Sequence, residues 1–327
     1  MQMKAWQLVR PRQFDRVEIP VPQLPPGAQD RILVRTRWVS LCGSDIPFFT
    51  GNKRFCTYPL AAGAPIHECT GEVVESDSQL FPRGCRVIAI PDGTEGLAEY
   101  FLAKVSRTAI LDGDIKDLGA ACIIQPLSTV MNAMERLQDI SGKSFAIIGL
   151  GSTGLLFGWL AKRGGARAVS GIDPCADRCR ASGAFGITRT FCTRSIEVVH
   201  EARRSADQWD PPDICIEAVG HQMETLNDCV HLVRKYGTVV AFGVPDHPVY
   251  PLEYEVFFRK NAILMATVTP DWAEYLAKAQ DIYLANCEEL SKLVTHRLSI
   301  RDAGKAFGMY ERHEEGILKV VLDASCW

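Results

Sequence analysis

The pattern of apolar and polar positions changes texture three times along the chain. Up to about residue 117, apolar residues come in short runs: Lys4–Val9, Ile32–Leu41, Thr70–Glu75, Arg86–Ile90 and Glu99–Ala103. Pro and Gly cut these runs apart. Runs of this kind predict a compact antiparallel β domain with irregular loops. From Lys116 to Leu137 the apolar positions fit helices, with Gln125-Pro126 breaking the run. From Ser144 to about Thr267, β-type runs alternate with helical segments. The runs are Phe145–Gly149, Ala168–Ile172, Thr188–Phe191, Asp213–Glu217, Thr238–Phe242 and Ala262–Ala266. The segments Leu155–Arg163 and His221–Lys235 read as helices between them. Such alternation predicts a doubly wound parallel sheet. The tail, Lys292–Trp327, returns to short β runs around a helix over Ile300–Glu311. The chain is therefore expected to leave its first domain, build a second, and come back. The boundaries this gives are 1–140 with 288–327, and 141–287.

Composition narrows the class. A chain of 327 residues that is 47% hydrophobic can bury one large core or two ordinary ones. The net charge of −3 comes from acids and bases mixed along the chain, so no basic stripe points to nucleic acid. No apolar stretch reaches the ~18 residues needed to span a membrane. The first residues, Met1–Trp6, lack the apolar core of a signal peptide. The twelve cysteines are scattered and none forms C-x-x-C. Cys175 and Cys179 fall one helical turn apart. Reduced thiols and a cytoplasmic location are expected, with one thiol available as a ligand.

The densest chemistry lies in Ser144–Asp173. An apolar run ends in Gly149-Leu150-Gly151-Ser152-Thr153-Gly154, a helical segment follows, and a second β run ends on Asp173. This is G-x-G-x-x-G in its strand–turn–helix–strand context, with an acid about 20 residues on. Gly149 lets the chain turn sharply, Gly151 lets a pyrophosphate approach the backbone, and Gly154 lets helix and strand pack closely. The helix end offers N–H groups of Ser152 and Thr153 and the positive end of the dipole. Asp173 can accept the hydroxyls of an adenosine ribose and would repel a 2′-phosphate, which favours NAD over NADP.

Nucleotide binding names no reaction. Two further segments do more: Val39-Ser40-Leu41-Cys42-Gly43-Ser44-Asp45, and Ile66-His67-Glu68 followed by Thr70-Gly71-Glu72-Val73-Val74-Glu75. Together with the glycine fingerprint, Glu217-Ala218-Val219-Gly220 and Phe242-Gly243-Val244-Pro245, they make the chain resemble the zinc-dependent medium-chain alcohol and polyol dehydrogenases. The tail segments Val294–Arg297 and Gly316–Val321 fit as well, and the sorbitol and threonine dehydrogenase branch is nearest. The resemblance covers nearly the whole chain. It implies an α/β architecture, a GroES-like β domain plus a doubly wound Rossmann domain. It also implies one catalytic zinc on Cys42, His67 and Glu68, with a fourth position open to water or substrate. Ser44 matches the family's proton-relay hydroxyl, and Arg178 a residue flanking the adenosine ribose. The implied activity is NAD-linked hydride transfer between a secondary alcohol and a ketone, the substrate being a polyol, a cyclitol or an amino alcohol. Asp45 is expected to make a structural hydrogen bond. The implied assembly is a homodimer or homotetramer, paired through the edge segment Ala262–Ala266.

The chain departs from that family at five points. The four-cysteine lobe for a structural zinc is absent. Pro47 stands where a histidine often ends the proton relay. Ile66 replaces the usual Gly before His-Glu. Gln125-Pro126-Leu127-Ser128 replaces Glu-Pro-Leu, so Gln125 is expected beside the metal as a neutral group that tunes it. Phe48 and Pro270 fall near positions where polyol enzymes place Tyr and Arg. Two other readings therefore stand beside the first: a zinc-free quinone- or enoyl-type reductase, and a non-catalytic dinucleotide-binding protein. The loops Phe48–Leu60 and Pro245–Tyr254 are expected to shape the substrate pocket.

Overall fold

The computed structural model describes residues 1–51 and 57–327. Residues 52–56 of the expected pocket loop lie outside the described residues. Six strands occupy the N-terminal part: β1 (Gln2–Arg10), β2 (Gln13–Pro20), β3 (Arg31–Ser40), β4 (Glu68–Ser76), β5 (Arg86–Pro91) and β6 (Tyr100–Ile110). Six follow in the middle: β7 (Ser144–Ile148), β8 (Ala168–Ile172), β9 (Arg189–Phe191), β10 (Ile214–Glu217), β11 (Thr238–Ala241) and β12 (Ile263–Ala266). The tail adds β13 (Val294–Ser299) and β14 (Lys319–Asp323). The chain forms two compact units, one of Met1–Thr129 with Pro270–Trp327, the other of Val130–Thr269.

In the first unit β1 and β2 form an antiparallel ribbon, and the larger sheet runs β13-β14-β3-β4-β5-β6. β6 also pairs with β3, so β3 to β6 close on themselves and hide their edges. β14, supplied by the tail, lies antiparallel to β3 with Val321 opposite Ser40. This is the expected return of the chain. β2 is missing from the predicted elements. Its sequence, Gln-Phe-Asp-Arg-Val-Glu-Ile-Pro, is half exposed and held by pairing with β1 rather than by a core face. Phe14 of β2 nevertheless reaches inward, packing at 5.9 Å from Phe49 and 5.0 Å from Phe307. Aromatic contacts of this kind contribute about 0.5–1.5 kcal/mol each beyond burial. They anchor the short helix Ile46–Thr50, which follows Cys42, to the helix Ala303–Glu311.

The expected interruption near Gln125-Pro126 comes earlier. One helix spans Leu118–Ala121 and the next Ile124–Arg136, so Pro126 sits in a first turn, where its missing N–H costs nothing. The helix Trp272–Ala285 also falls elsewhere than the expected boundary at 287. It belongs to the first unit and packs against β6, and Gln280 Oε1 accepts from Asp112 N at 3.1 Å. Its amphipathic pattern could not say which sheet it would cover.

The second unit holds the parallel sheet β12-β11-β10-β7-β8-β9. Strand order reverses between β7 and β10, and open sheets of this kind bind ligands at the carboxyl ends of such strands. The central strands are mostly apolar, with every residue of β7 and β10 buried, while the edge strands β9 and β12 are largely exposed. The α/β architecture is the expected one.

Candidate active site

Cys42 lies two residues past the end of β3, after Leu41, and opens the tight turn Gly43–Asp45. The Cys42 N–H donates to Asp45 Oδ2 at 2.8 Å, which fixes the turn. Asp45 is 1% exposed, and its other oxygen, Oδ1, stands 3.0 Å from His67 Nδ1. One carboxylate thus orients both a thiol and an imidazole. The expected structural hydrogen bond of Asp45 is present, and its hold on His67 is an addition. With Nδ1 committed to Asp45, Nε2 is the ring nitrogen left to face a ligand. Burial pushes the His67 pKa down, but Asp45 and then Cys42 outweigh it and hold the ring well above its ordinary value.

Glu68 begins β4, where it pairs with Ser40 at the end of β3. Donor atoms of Cys42, His67 and Glu68 all lie within 4.8 Å of one another. Thiolate, imidazole and carboxylate at that spacing are a donor set that zinc accepts. Glu68 is also held from behind. Lys319, the first residue of β14, donates to Glu68 Oε1 at 2.7 Å and lies 2.5 Å from Oε2. The Ser40 hydroxyl donates to Oε2, and Lys319 also donates to the Leu41 carbonyl at 3.0 Å. Both members of the pair are fully buried. Burial works against the Lys319 charge, but Glu68 and then Cys42 raise its pKa above the ordinary range. Lys319 and Ser40 escape the sequence reading. The available signal is a lysine inside the apolar run Ile317-Leu318-Lys319-Val320-Val321-Leu322, since a lysine buried in a strand needs a carboxylate.

Ser44 lies in the turn beside Cys42, half buried, and its hydroxyl makes no hydrogen bond among the described residues. Gln125 is 5% exposed in the first turn of the helix Ile124–Arg136. Three residues before it, Cys122 is near enough to feel the charges of Glu68 and Lys319. Its thiol is pushed up to about 12, by burial first and Glu68 next. The same helical region thus lies beside the Glu68 cluster.

In the second unit the glycines do what their spacing implies. Gly149 has φ +94°, and a Cβ at Gly154 would lie 1.8 Å from the Gly149 carbonyl oxygen. A Cβ at Gly151 would meet open space, its nearest neighbour being Arg178 Cζ at 4.0 Å. The side of Gly151 where a Cβ would stand is therefore open. The helix Ser152–Arg163 starts there, and its first N–H groups, on Ser152, Thr153 and Gly154, face no turn before them. Asp173, 3% exposed, accepts from Leu150 N and Cys175 N, each at 2.8 Å, and lies 3.5 Å from Arg178 Nη1. Oδ1 keeps a second lone pair, and Oδ2 faces both Leu150 N and Arg178. Glu217 is a further organiser: one oxygen accepts from Val219 N, Gly220 N and the Thr225 hydroxyl. It helps wall a cavity of about 380 Å³ at the carboxyl ends of β10, β11 and β12, lined also by Phe242, Val244 and Thr267. No helix among the described residues is long and apolar enough to cross a membrane.

Residues 28–115 match the alcohol dehydrogenase GroES-like domain, and residues 152–281 match the zinc-binding dehydrogenase model. The chain is 25% identical to sorbitol dehydrogenase of Bacillus subtilis (strain 168), covering 98% of this chain and 97% of that one. It is 27% identical to L-galactonate-5-dehydrogenase of Escherichia coli (strain K12), covering 86% of each. Among solved structures it resembles alcohol dehydrogenase TADH from Thermus sp. ATN1, with a TM-score of 0.84 and 21% identity over 98% of this chain and 100% of that one. With a Cys–His–Glu donor set in a GroES-like unit and a glycine cradle in a doubly wound one, the chain belongs to the zinc-type medium-chain dehydrogenase/reductases, and it is an oxidoreductase of the alcohol dehydrogenase type.

Proposed function

We propose that this chain is a zinc-dependent, NAD-linked dehydrogenase that interconverts a secondary alcohol and its ketone by hydride transfer. The observation that carries this reading is the convergence of Cys42, His67 and Glu68 donors within 4.8 Å, with Asp45 fixing the His67 ring. Zinc at such a site supplies Lewis acidity, which lowers the pKa of a bound alcohol and polarises a ketone. The remaining work falls to the chain. Asp45 keeps the imidazole in one tautomer and the Cys42 backbone in place. Lys319 and Ser40 hold the Glu68 carboxylate in one orientation. Ser44 is suited to pass the hydroxyl proton toward solvent, since Pro47 offers no further relay group. Gln125 contributes a neutral amide where a carboxylate would add charge. In the second unit, the Gly149–Gly154 turn and the helix N-terminus suit a pyrophosphate, and Asp173 with Arg178 suits an unphosphorylated ribose. Sorbitol and L-galactonate, in the names of the relatives, are polyhydroxylated. This favours a polyol, cyclitol or amino-alcohol substrate.

A zinc-free reductase is the second reading, because Glu68 is already neutralised by Lys319. Metal analysis and a panel of secondary alcohols with NAD decide between them. Expected are one zinc per chain, loss of turnover on chelation or in Cys42→Ala and His67→Ala, and unchanged nucleotide binding in both variants. Full turnover in metal-free protein would falsify the zinc reading. The edge strand β12 exposes Ile263 at 59%, near Phe258 at 64%, which supports a homodimer or homotetramer paired through that edge. Light scattering at micromolar concentration should report at least a dimer.

A further inference from the structure

Three cysteines, Cys175, Cys179 and Cys192, gather at the end of the second unit that holds Asp173. The helix Ala176–Ala181 connects β8 to β9, which pairs parallel to β8 and precedes Cys192. Just beyond that helix, the hydroxyls of Ser182 and Thr190 meet at 2.8 Å. Cys179 lies three residues before Ser182, and Cys192 lies two residues after Thr190, one beyond the end of β9. The Cys179 thiol is near enough to Cys192 to feel it. Cys192 is exposed and Cys179 half buried. Cys179 Sγ also donates to the backbone carbonyl of Asp173 at 3.1 Å. The Asp173 N–H donates to the carbonyl of Phe191, the neighbour of Cys192, at 3.2 Å. Asp173 is thus held from one side by Cys179 and from the other by Phe191, the last residue of β9 before Cys192.

We propose that Cys179 and Cys192 are an oxidisable dithiol whose disulfide withdraws Cys179 from the Asp173 carbonyl and weakens dinucleotide binding. The oxidant is a peroxide. The exposed Cys192 sulfur attacks one peroxide oxygen; the O–O bond breaks, a sulfenic acid forms and water leaves. The Cys179 sulfur then attacks the Cys192 sulfur. The S–S bond forms, the S–O bond breaks, and the departing hydroxide leaves as a second water with the Cys179 proton. Two thiols lose two electrons and one peroxide gains them. Burial, and next the contact with Cys192, push the Cys179 thiol up to about 12, so Cys192 is the first to react and Cys179 the resolving partner. The effect on binding rests on the reading of Asp173 as part of a nucleotide site; the cross-link does not.

The test uses the full-length zinc-loaded protein, hydrogen peroxide, and NADH fluorescence as the binding probe. Peptide mapping should find Cys179 joined to Cys192, with the intact mass lower by two hydrogens and restored by dithiothreitol. The NADH dissociation constant should rise about fivefold or more in step with the cross-link. Cys192→Ser should form no cross-link and keep its affinity under peroxide. Cys179→Ser, which cannot form the cross-link, should show the same NADH affinity after peroxide as before it. The proposal is overturned by over-oxidation of Cys192 with Cys179 left free, by a cross-link to another cysteine, or by a full cross-link with unchanged affinity. Failure of untreated protein to bind NADH would defeat the nucleotide reading instead, and mapping would still decide the dithiol.

Discussion

Replacing Lys319 by Met tests how the metal-facing carboxylate is held. Lys319 Nζ lies 2.7 Å from Glu68 Oε1, and both side chains are fully buried. At that distance, with an effective dielectric constant of about 20, Coulomb's law gives an attraction of about 6 kcal/mol, much of it offset by desolvation of the two ions. Methionine keeps the stem and removes the charge. Glu68 then has only the Ser40 hydroxyl, and an unpaired buried carboxylate costs about 3–5 kcal/mol. Urea unfolding of chelator-treated wild type and Lys319→Met at pH 7, followed by intrinsic fluorescence, measures this. A deficit of about 3–5 kcal/mol is expected, together with a larger stabilisation by zinc than in wild type, because the ion replaces the lost counter-charge. A variant within about 1 kcal/mol of wild type at pH 7 would refute the dependence of Glu68 on Lys319.

Two further outcomes are expected from the second unit. NAD should bind at least about tenfold better than NADP, about 1.4 kcal/mol, and Asp173→Ser with a basic residue at Pro174 should narrow the gap; equal affinities in the wild type, measured by titration, would remove Asp173 from the role. Asp213 accepts from Ser144 N at 2.7 Å and from Arg234 Nε at 2.5 Å, clamping β10 to β7. Burial raises its pKa, but Ser144 and Arg234 outweigh this and hold it below the ordinary value. Its contribution is therefore present above about pH 3.9 and lost as pH falls through the lower folded pKa. Asp213→Asn should cost about 1–3 kcal/mol at pH 7 and flatten the acid limb of the stability profile, and an unchanged limb would place acid sensitivity elsewhere.

The sequence by itself determined whatever rests on local spacing. The glycine fingerprint fixes a turn and a helix start within a few residues. Gly154 has no room for a side chain because the Gly149 carbonyl stands where its Cβ would be. The alternation of apolar runs likewise set the parallel sheet, since strands buried on both faces must be apolar at nearly every position. Cys42, His67 and Glu68 were legible only through the family resemblance that the Cys-Gly-Ser-Asp and His-Glu segments carry; neither short motif by itself names a ligand. Tertiary structure alone decided the rest. The Ser40–Glu68–Lys319 group spans the register of β3 with β4 and the return of β14, which no local pattern encodes. The unit to which the helix Trp272–Ala285 belongs depended on which sheet it met, not on its own periodicity. Contacts between residues far apart in sequence follow from strand order and register, and these are properties of the assembled sheet rather than of any segment within it.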